Sequence, residues 1–159
     1  MKLLILILFL VCLPFTIGYS NPDKQIHCLA EAIYFESRGE PFIGMVAVGQ
    51  VIIQRVKSDL YPNNICDVVH QGKTTSKGYP VKNKCEFSYW CDGKPEIMED
   101  EFSYAESLQA ADLILNDIII EGLEDALHYH AAYVHPRWAK DYIKLKTIGL
   151  HIFYARPNY

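Results

Sequence analysis

The stretch Ala30-Glu-Ala-Ile-Tyr-Phe-Glu-Ser-Arg-Gly-Glu-Pro41 decides how the rest of the chain is read. Ile26, Leu29, Ala30 and Ile33 recur at i, i+3, i+4 and i+7, which predicts a helix from Gln25 to Ser37. Gly39 supplies a C-terminal cap and Pro41 forbids continuation. At about 100° per residue, Glu36 falls roughly 80° from Ile26 and almost over Leu29. It therefore borders the apolar stripe, whereas Glu31, about 140° from Ile26, is expected to face water. A carboxyl half-buried beside Leu29, Ile33 and aromatic neighbours has a raised pKa, as a general acid near neutral pH requires. The competing reading of Glu36 is a helix-end carboxylate paired with Arg38 or solvated at the rim.

The chain of 159 residues allows one domain, and with half its residues hydrophobic it can bury a packed core. Its 11 Tyr suit a groove that stacks on sugar rings, although aromatic residues of any domain are mostly core. Residues 1–20 stand apart. Lys2 precedes an unbroken apolar run from Leu3 to Leu13, followed by Pro14 and small or polar residues. That is the layout of a signal peptide, cleaved after Gly18 or Ser20, with an uncleaved N-terminal anchor as the alternative. The run is short for a membrane span. Cys12, preceded by Val11, does not resemble a lipoprotein cysteine.

Residues 21–159 are then the functional domain. Without Lys2 the 15 basic residues become 14 against 19 acidic ones, a net charge of −5 instead of −4. A nucleic-acid binder would need the opposite balance. Cys28, Cys66, Cys85 and Cys91 remain, an even number that suggests two disulfides in an exported chain, with three connectivities open. Zinc is the rival explanation, but no short Cys pair or matching His spacing accompanies these cysteines.

Ile43 to Lys57 is apolar almost all round and is expected to be the central buried helix, with Gly44 and Gly49 allowing close approach of a neighbour. Gln50 and Gln54 interrupt it. Gln50 is either hydrogen-bonded to buried backbone or a polar spot on a groove floor. Tyr61-Pro-Asn-Asn64 opens a short helix to His70, closed by Gly72. Gly72 to Lys84, with Lys73, Lys77, Lys82 and Lys84, reads as a mobile basic loop that could touch a polyanionic wall polymer, although solvated loop lysines are the commoner case. Cys85 to Gly93 is dense in aromatic residues and offers Ser88 as a polar contact. Phe102 to Glu121 reads as a third long helix with a stripe of Leu108, Ala111, Leu115 and Ile118. A short extended piece and an aromatic loop follow from Ala126 to Trp138, then a hairpin from Lys144 to Tyr154 turning near Gly149. His128 and His130 alternate onto one face, but no third metal ligand has a suggestive spacing, and neither a metal nor a cofactor is expected.

Several blocks, in order, resemble the SleB/CwlJ cell wall hydrolase family: Glu36-Ser-Arg-Gly-Glu-Pro, Val46-Ala-Val-Gly-Gln-Val-Ile-Ile-Gln-Arg-Val, Tyr61-Pro-Asn-Asn-Ile-Cys-Asp-Val-Val-His-Gln, Cys85-Glu-Phe-Ser-Tyr-Trp-Cys-Asp-Gly, Ala126-Leu-His-Tyr-His-Ala and Ile148-Gly-Leu-His-Ile-Phe-Tyr-Ala-Arg. The resemblance runs from about Cys28 to Arg156. It implies a mainly α (α+β), lysozyme-like helical domain with a small β-hairpin element. It also implies cleavage of peptidoglycan between N-acetylmuramic acid and N-acetylglucosamine by a lytic transglycosylase. Glu36 occupies the place of that family's catalytic glutamate. Gln50, Ser88, Tyr129 and His130 are the candidates for holding the sugar. Glu40 is the obvious second carboxyl and is expected to pair with Arg38 or to cap beyond Gly39. Should Glu40 or Asp92 position a water, the product is hydrolytic.

The cysteine-containing form resembles the branch found in Gram-negative bacteria and their phages. No wall-binding domain of the spore cortex type is recognised here, so Gram-negative peptidoglycan is the expected partner. The protein is expected to be an exported monomer, meeting a membrane only through residues 1–20. Two rivals remain: a thiol peptidase or amidase using Cys28 with His130, and a non-catalytic peptidoglycan-binding module.

Overall fold

The computed structural model describes residues 22–157, so the expected leader at residues 1–20 lies outside the described residues. The architecture is mainly helical with two small antiparallel sheets. Helix α1 (Pro22–Ser37) begins three residues before the expected Gln25, since Pro22 in the first turn has no amide to leave unpaired. Its Leu29, Ala30, Ala32, Ile33 and Tyr34 are fully buried. The helix stops as expected. Gly39 takes a φ of +86°, and the Glu40 amide donates to the Ser37 carbonyl at 3.0 Å.

Helix α2 (Phe42–Lys57) is the buried centre of the molecule. Met45, Val46 and Ile52 face a cluster formed with α1, α3 (Ile65–Val69) and α4 (Glu101–Leu115). Ala47, Val48 and Val51 face a second cluster with Leu123, Ala126 and Phe153 of the sheet side. Gly49 is required here, because a Cβ would collide with Ile114 Cδ1 of α4 and Ile33 Cδ1 of α1. The Cys28–Cys66 disulfide ties α1 to α3, and Gln25 Oε1 accepts from the Ile65 amide at 2.7 Å. Helix α3 starts at Ile65, later than expected, because Asn64 caps it by accepting from the Asp67 amide at 2.9 Å.

Two expectations need correction. The segment 72–84 is an ordered hairpin of β1 (Gly72–Thr74) and β2 (Pro80–Cys85), not an open loop. Its turn is closed by Thr75 N–H donating to Tyr79 O at 2.8 Å, with Gly78 at a φ of +83°. Helix α4 ends at Leu115 and does not run to Glu121. Asn116 folds back on the Asp112 carbonyl, Asp117 adopts a φ of +60°, and Gln50 claims the Ile120 backbone. The buried face of α4 is Ser107, Ala110, Ala111 and Ile114, while Leu115 and Ile118 are exposed. Of the expected stripe, Ala111 is buried and Leu108 packs partly against the core, whereas Leu115 and Ile118 miss it.

The second sheet has the order β3 (Ala126–Ala131), β5 (His151–Ala155), β4 (Ile143–Ile148), all antiparallel. Its β4–β5 hairpin turns at Gly149, as the residue pattern predicts. Tyr129 sits opposite Phe153 and shares its face toward α2, whereas His128 and His130 point to the other face.

Candidate active site

Glu36 ends up where the last turn of α1 meets the edge strand β3. The Tyr129 hydroxyl donates to Glu36 Oε2 at 3.1 Å. Burial raises the Glu36 pKa, and this outweighs the opposing effects of the Tyr129 hydroxyl, the Arg55 charge and the Ser88 backbone amide. The carboxyl is therefore both hard to ionise and provided with donors for the ionised form. Arg38 does not pair with it; its Nη1 donates to the Tyr34 hydroxyl at 3.0 Å.

The expected sugar contacts separate on inspection. Gln50 is 1% exposed, and its amide accepts from Ile120 N at 2.7 Å and donates to Ile120 O at 3.4 Å. It is a buried backbone clamp and not part of a groove floor. Tyr129 is only partly exposed and acts on Glu36; burial and then the Glu36 charge hold its phenol well above its ordinary pKa, so it stays a donor. Ser88 is exposed at the start of a 3₁₀ turn (Ser88–Cys91), with its amide turned toward Glu36. His130 is not brought to Glu36. Its Nε2 lies 3.0 Å from the Tyr154 hydroxyl and its Nδ1 2.9 Å from Ala131 O, on the opposite face from Tyr129.

Three further groups were not read correctly from sequence. Glu31, expected in water, is half-buried beside Tyr89, and burial raises its pKa. Glu40 does not pair with Arg38. It crosses to the β4–β5 turn, accepts from the Leu150 amide at 2.8 Å and lies 4.0 Å from His151 Nδ1. Arg55, 5% exposed, escaped notice altogether. Its Nε donates to Leu127 O at 2.9 Å, and its guanidinium stacks over Tyr61 and Phe87 at 5.0 and 5.1 Å. The signal was available: an arginine inside a helix that is otherwise apolar all round.

Around Glu36 the wall is aromatic. Tyr89, 7% exposed, stacks on Phe35 with ring centroids 4.8 Å apart and feels the charges of both Glu31 and Glu36. The Cys85–Cys91 disulfide closes the short loop that carries Ser88 and Tyr89. A hollow of about 140 Å³ opens beside Phe35, Arg38 and Tyr89, with neither Glu36 nor Tyr129 in its lining. A larger cleft of about 800 Å³ lies at the far end of α2, bordered by Gln54, Lys57 and Arg156 and by none of the groups around Glu36. Cys28 is bonded to Cys66, which leaves no thiol there for the Cys28–His130 alternative. Among the described residues no group of three or more His, Cys, Asp or Glu is placed to hold a metal ion.

Residues 39–154 match the model of the cell wall hydrolase family. The chain belongs to that family. The matched span begins three residues after Glu36. Among curated relatives, the spore cortex-lytic enzyme of Bacillus subtilis is 32% identical over 140 residues, covering 86% of this chain and 38% of the relative. The spore cortex-lytic enzyme of Halalkalibacterium halodurans is 44% identical over 136 residues, covering 86% of this chain and 36% of the relative. The chain thus spans less than half the length of these family members. Among solved structures, the catalytic domain of the germination-specific lytic transglycosylase SleB from Bacillus anthracis matches with a TM-score of 0.62 and 31% identity. That match covers 86% of this chain and 97% of the other. The catalytic domain of Bacillus cereus SleB matches with a TM-score of 0.59 and 28% identity, covering 86% and 93%. The mainly helical α+β fold expected from the sequence is the fold of these family members.

Proposed function

We propose that this protein cleaves the peptidoglycan glycan strand between N-acetylmuramic acid and N-acetylglucosamine as a lytic transglycosylase, with Glu36 as acid and then base. The observation that carries the reading is the Glu36 carboxyl itself, desolvated at the end of α1 and held by the Tyr129 hydroxyl. Family membership and the likeness to the SleB lytic transglycosylase domain support it.

Protonated Glu36 gives its proton to the glycosidic oxygen as the bond to muramic C1 breaks and oxocarbenium character develops. The carboxylate left behind is stabilised by the Tyr129 hydroxyl, the Arg55 charge and the Ser88 amide. It then takes the proton of the muramic C6 hydroxyl, whose oxygen bonds to C1. One C–O bond breaks, one forms, the proton returns to Glu36, and no water is consumed. The products are a free N-acetylglucosamine hydroxyl and a 1,6-anhydromuramic end. Of the two carboxyls named for a hydrolytic route, Glu40 is engaged by the Leu150 amide and His151, and Asp92 by the Lys94 amide at 2.8 Å, which favours the water-free route. Ser88 is the sugar contact retained from the sequence reading.

The protein acts in the cell envelope, where its substrate lies. We assign residues 1–20 as an export signal and residues 21–159 as a monomeric catalytic domain. Both disulfides fit an oxidising compartment. The relatives named above come from spore-forming bacteria, and none of them supports the Gram-negative or phage source expected from the sequence.

Digestion of purified sacculi by wild type and Glu36→Gln tests the assignment, with mass spectrometry of the fragments. Anhydro ends from wild type alone are expected. Fragments heavier by one water make the enzyme a hydrolase. Equal digestion by both proteins removes Glu36 from the mechanism, and no digestion by either leaves a binding module.

A further inference from the structure

The β1–β2 hairpin is an isolated two-stranded sheet with exposed residues on both faces. Residues 72–85 carry Lys73, Lys77, Lys82 and Lys84, all exposed, and no acidic residue. With these four and Lys2 set aside, ten basic residues stand against 19 acidic ones, a net charge of −9 for the remainder. The hairpin is thus a basic segment without any acidic residue on a body in which acidic residues outnumber basic ones. At about 3.3 Å per residue, the six residues of β2 reach roughly 20 Å.

The root of this arm is joined to the wall of the site. Cys85 at the end of β2 is bonded to Cys91, across the turn that carries Ser88 and Tyr89 beside Glu36. The Glu86 amide donates to Gln71 O at 2.9 Å and closes the base. Lys82 folds back over Gly93, where a Cβ would meet its Nζ at 3.4 Å. The cations thus lead from the free tip to the loop next to the proposed acid.

We infer that the Gly72–Cys85 hairpin is an electrostatic arm that lies along the substrate and binds the carboxylates of its stem peptides. This rests on the glycan-strand reading above. Lysines meet such carboxylates as mobile point charges, which suits a repeating, flexible polyanion better than a fitted pocket would. An acidic body repelled by an anionic wall needs such a contact to bring Glu36 to the strand.

The test is co-sedimentation of full-length Glu36→Gln protein, which leaves the wall uncut, with intact sacculi and with sacculi whose carboxyl groups are blocked as amides by a carbodiimide and ammonia. In the same background, Lys73, Lys77, Lys82 and Lys84 are changed together to Gln, or together to Arg. The Gln set is expected to weaken binding to intact sacculi roughly tenfold at low salt, the Arg set to bind like the parent, and the difference to fade at high salt. On the blocked sacculi the Gln set is expected to bind no more weakly than the parent. Undiminished binding of the Gln set to intact sacculi overturns the inference, as does an equal loss on the blocked sacculi. Stronger lysine-dependent binding to phosphatidylglycerol vesicles than to sacculi also overturns it, in favour of a membrane surface. Because sedimentation needs no turnover, lysine-dependent binding alongside an inactive wild type would sink the proposed reaction and leave the arm standing.

Discussion

The Tyr129 hydroxyl donates to Glu36 Oε2 at 3.1 Å, joining the end of α1 to the edge strand β3 across 93 residues of sequence. The bond favours the ionised carboxyl, while burial favours the neutral one, and burial wins. Glu36 therefore holds its proton more tightly than an ordinary carboxyl, yet has a donor ready for the carboxylate that proton transfer creates.

Tyr129→Phe removes that donor and keeps the ring that packs on Phe153 at a centroid distance of 5.8 Å. The Glu36 pKa is expected to rise further, so the alkaline limb of the pH–rate profile moves to higher pH. The rate of glycan cleavage is expected to fall roughly tenfold or more, the worth of one hydrogen bond to a charged group. An unshifted alkaline limb would show that Tyr129 does not act on Glu36.

Glu36→Gln is expected to be more stable than wild type at pH 8 while losing cleavage. The folded chain holds the Glu36 proton more tightly than the unfolded chain, whose value is near 4.5. The stabilising contribution is full below that value and is lost as pH rises through the raised folded pKa. Denaturant midpoints of the two proteins are expected to converge at pH 4 and diverge at pH 8. A constant offset at both pH values contradicts the burial argument.

Glu40→Ala takes the acceptor from the exposed Leu150 amide and frees the turn opposite α1. A loss of about 1 kcal/mol is expected, read as a fall in Tm of a few degrees. His151, whose ring meets Tyr129 edge-on at 5.2 Å, loses its carboxylate neighbour at the same time. Cleavage is therefore expected to drop beyond what the lower stability explains, measured well below Tm.

The two disulfides are expected to fail differently when each pair is changed to Ser. Cys28–Cys66 closes a separation of 38 residues, and its loss costs up to about 4 kcal/mol by chain entropy. Cys85–Cys91 spans six, for which the same relation gives about 2 kcal/mol. That shorter loop aims the Ser88 amide at Glu36, so its removal is expected to lower cleavage more than stability. Denaturation and sacculus digestion of both double variants separate the two roles.

What the sequence by itself determined is local. The period of Ile26, Leu29 and Ile33 places α1 and puts Glu36 at the rim of its apolar face, because helix geometry is set by nearest neighbours along the chain. Gly39 with Pro41, and Gly149 in its turn, mark the ends of elements for the same reason. Alternation along β3 put His128 and His130 on one face, and it also excluded His130 from the face of Tyr129. The tertiary structure alone decided what each polar group would meet. Tyr129 reaches Glu36, Glu40 reaches Leu150 and Gln50 reaches Ile120, over separations of 93, 110 and 70 residues. The same long-range claim on Ile120 accompanies the early end of α4, overriding a pattern that locally read as continued helix. Burial, and with it the acidity of Glu36, is a property of what packs from elsewhere in the chain, and no local period carries that information.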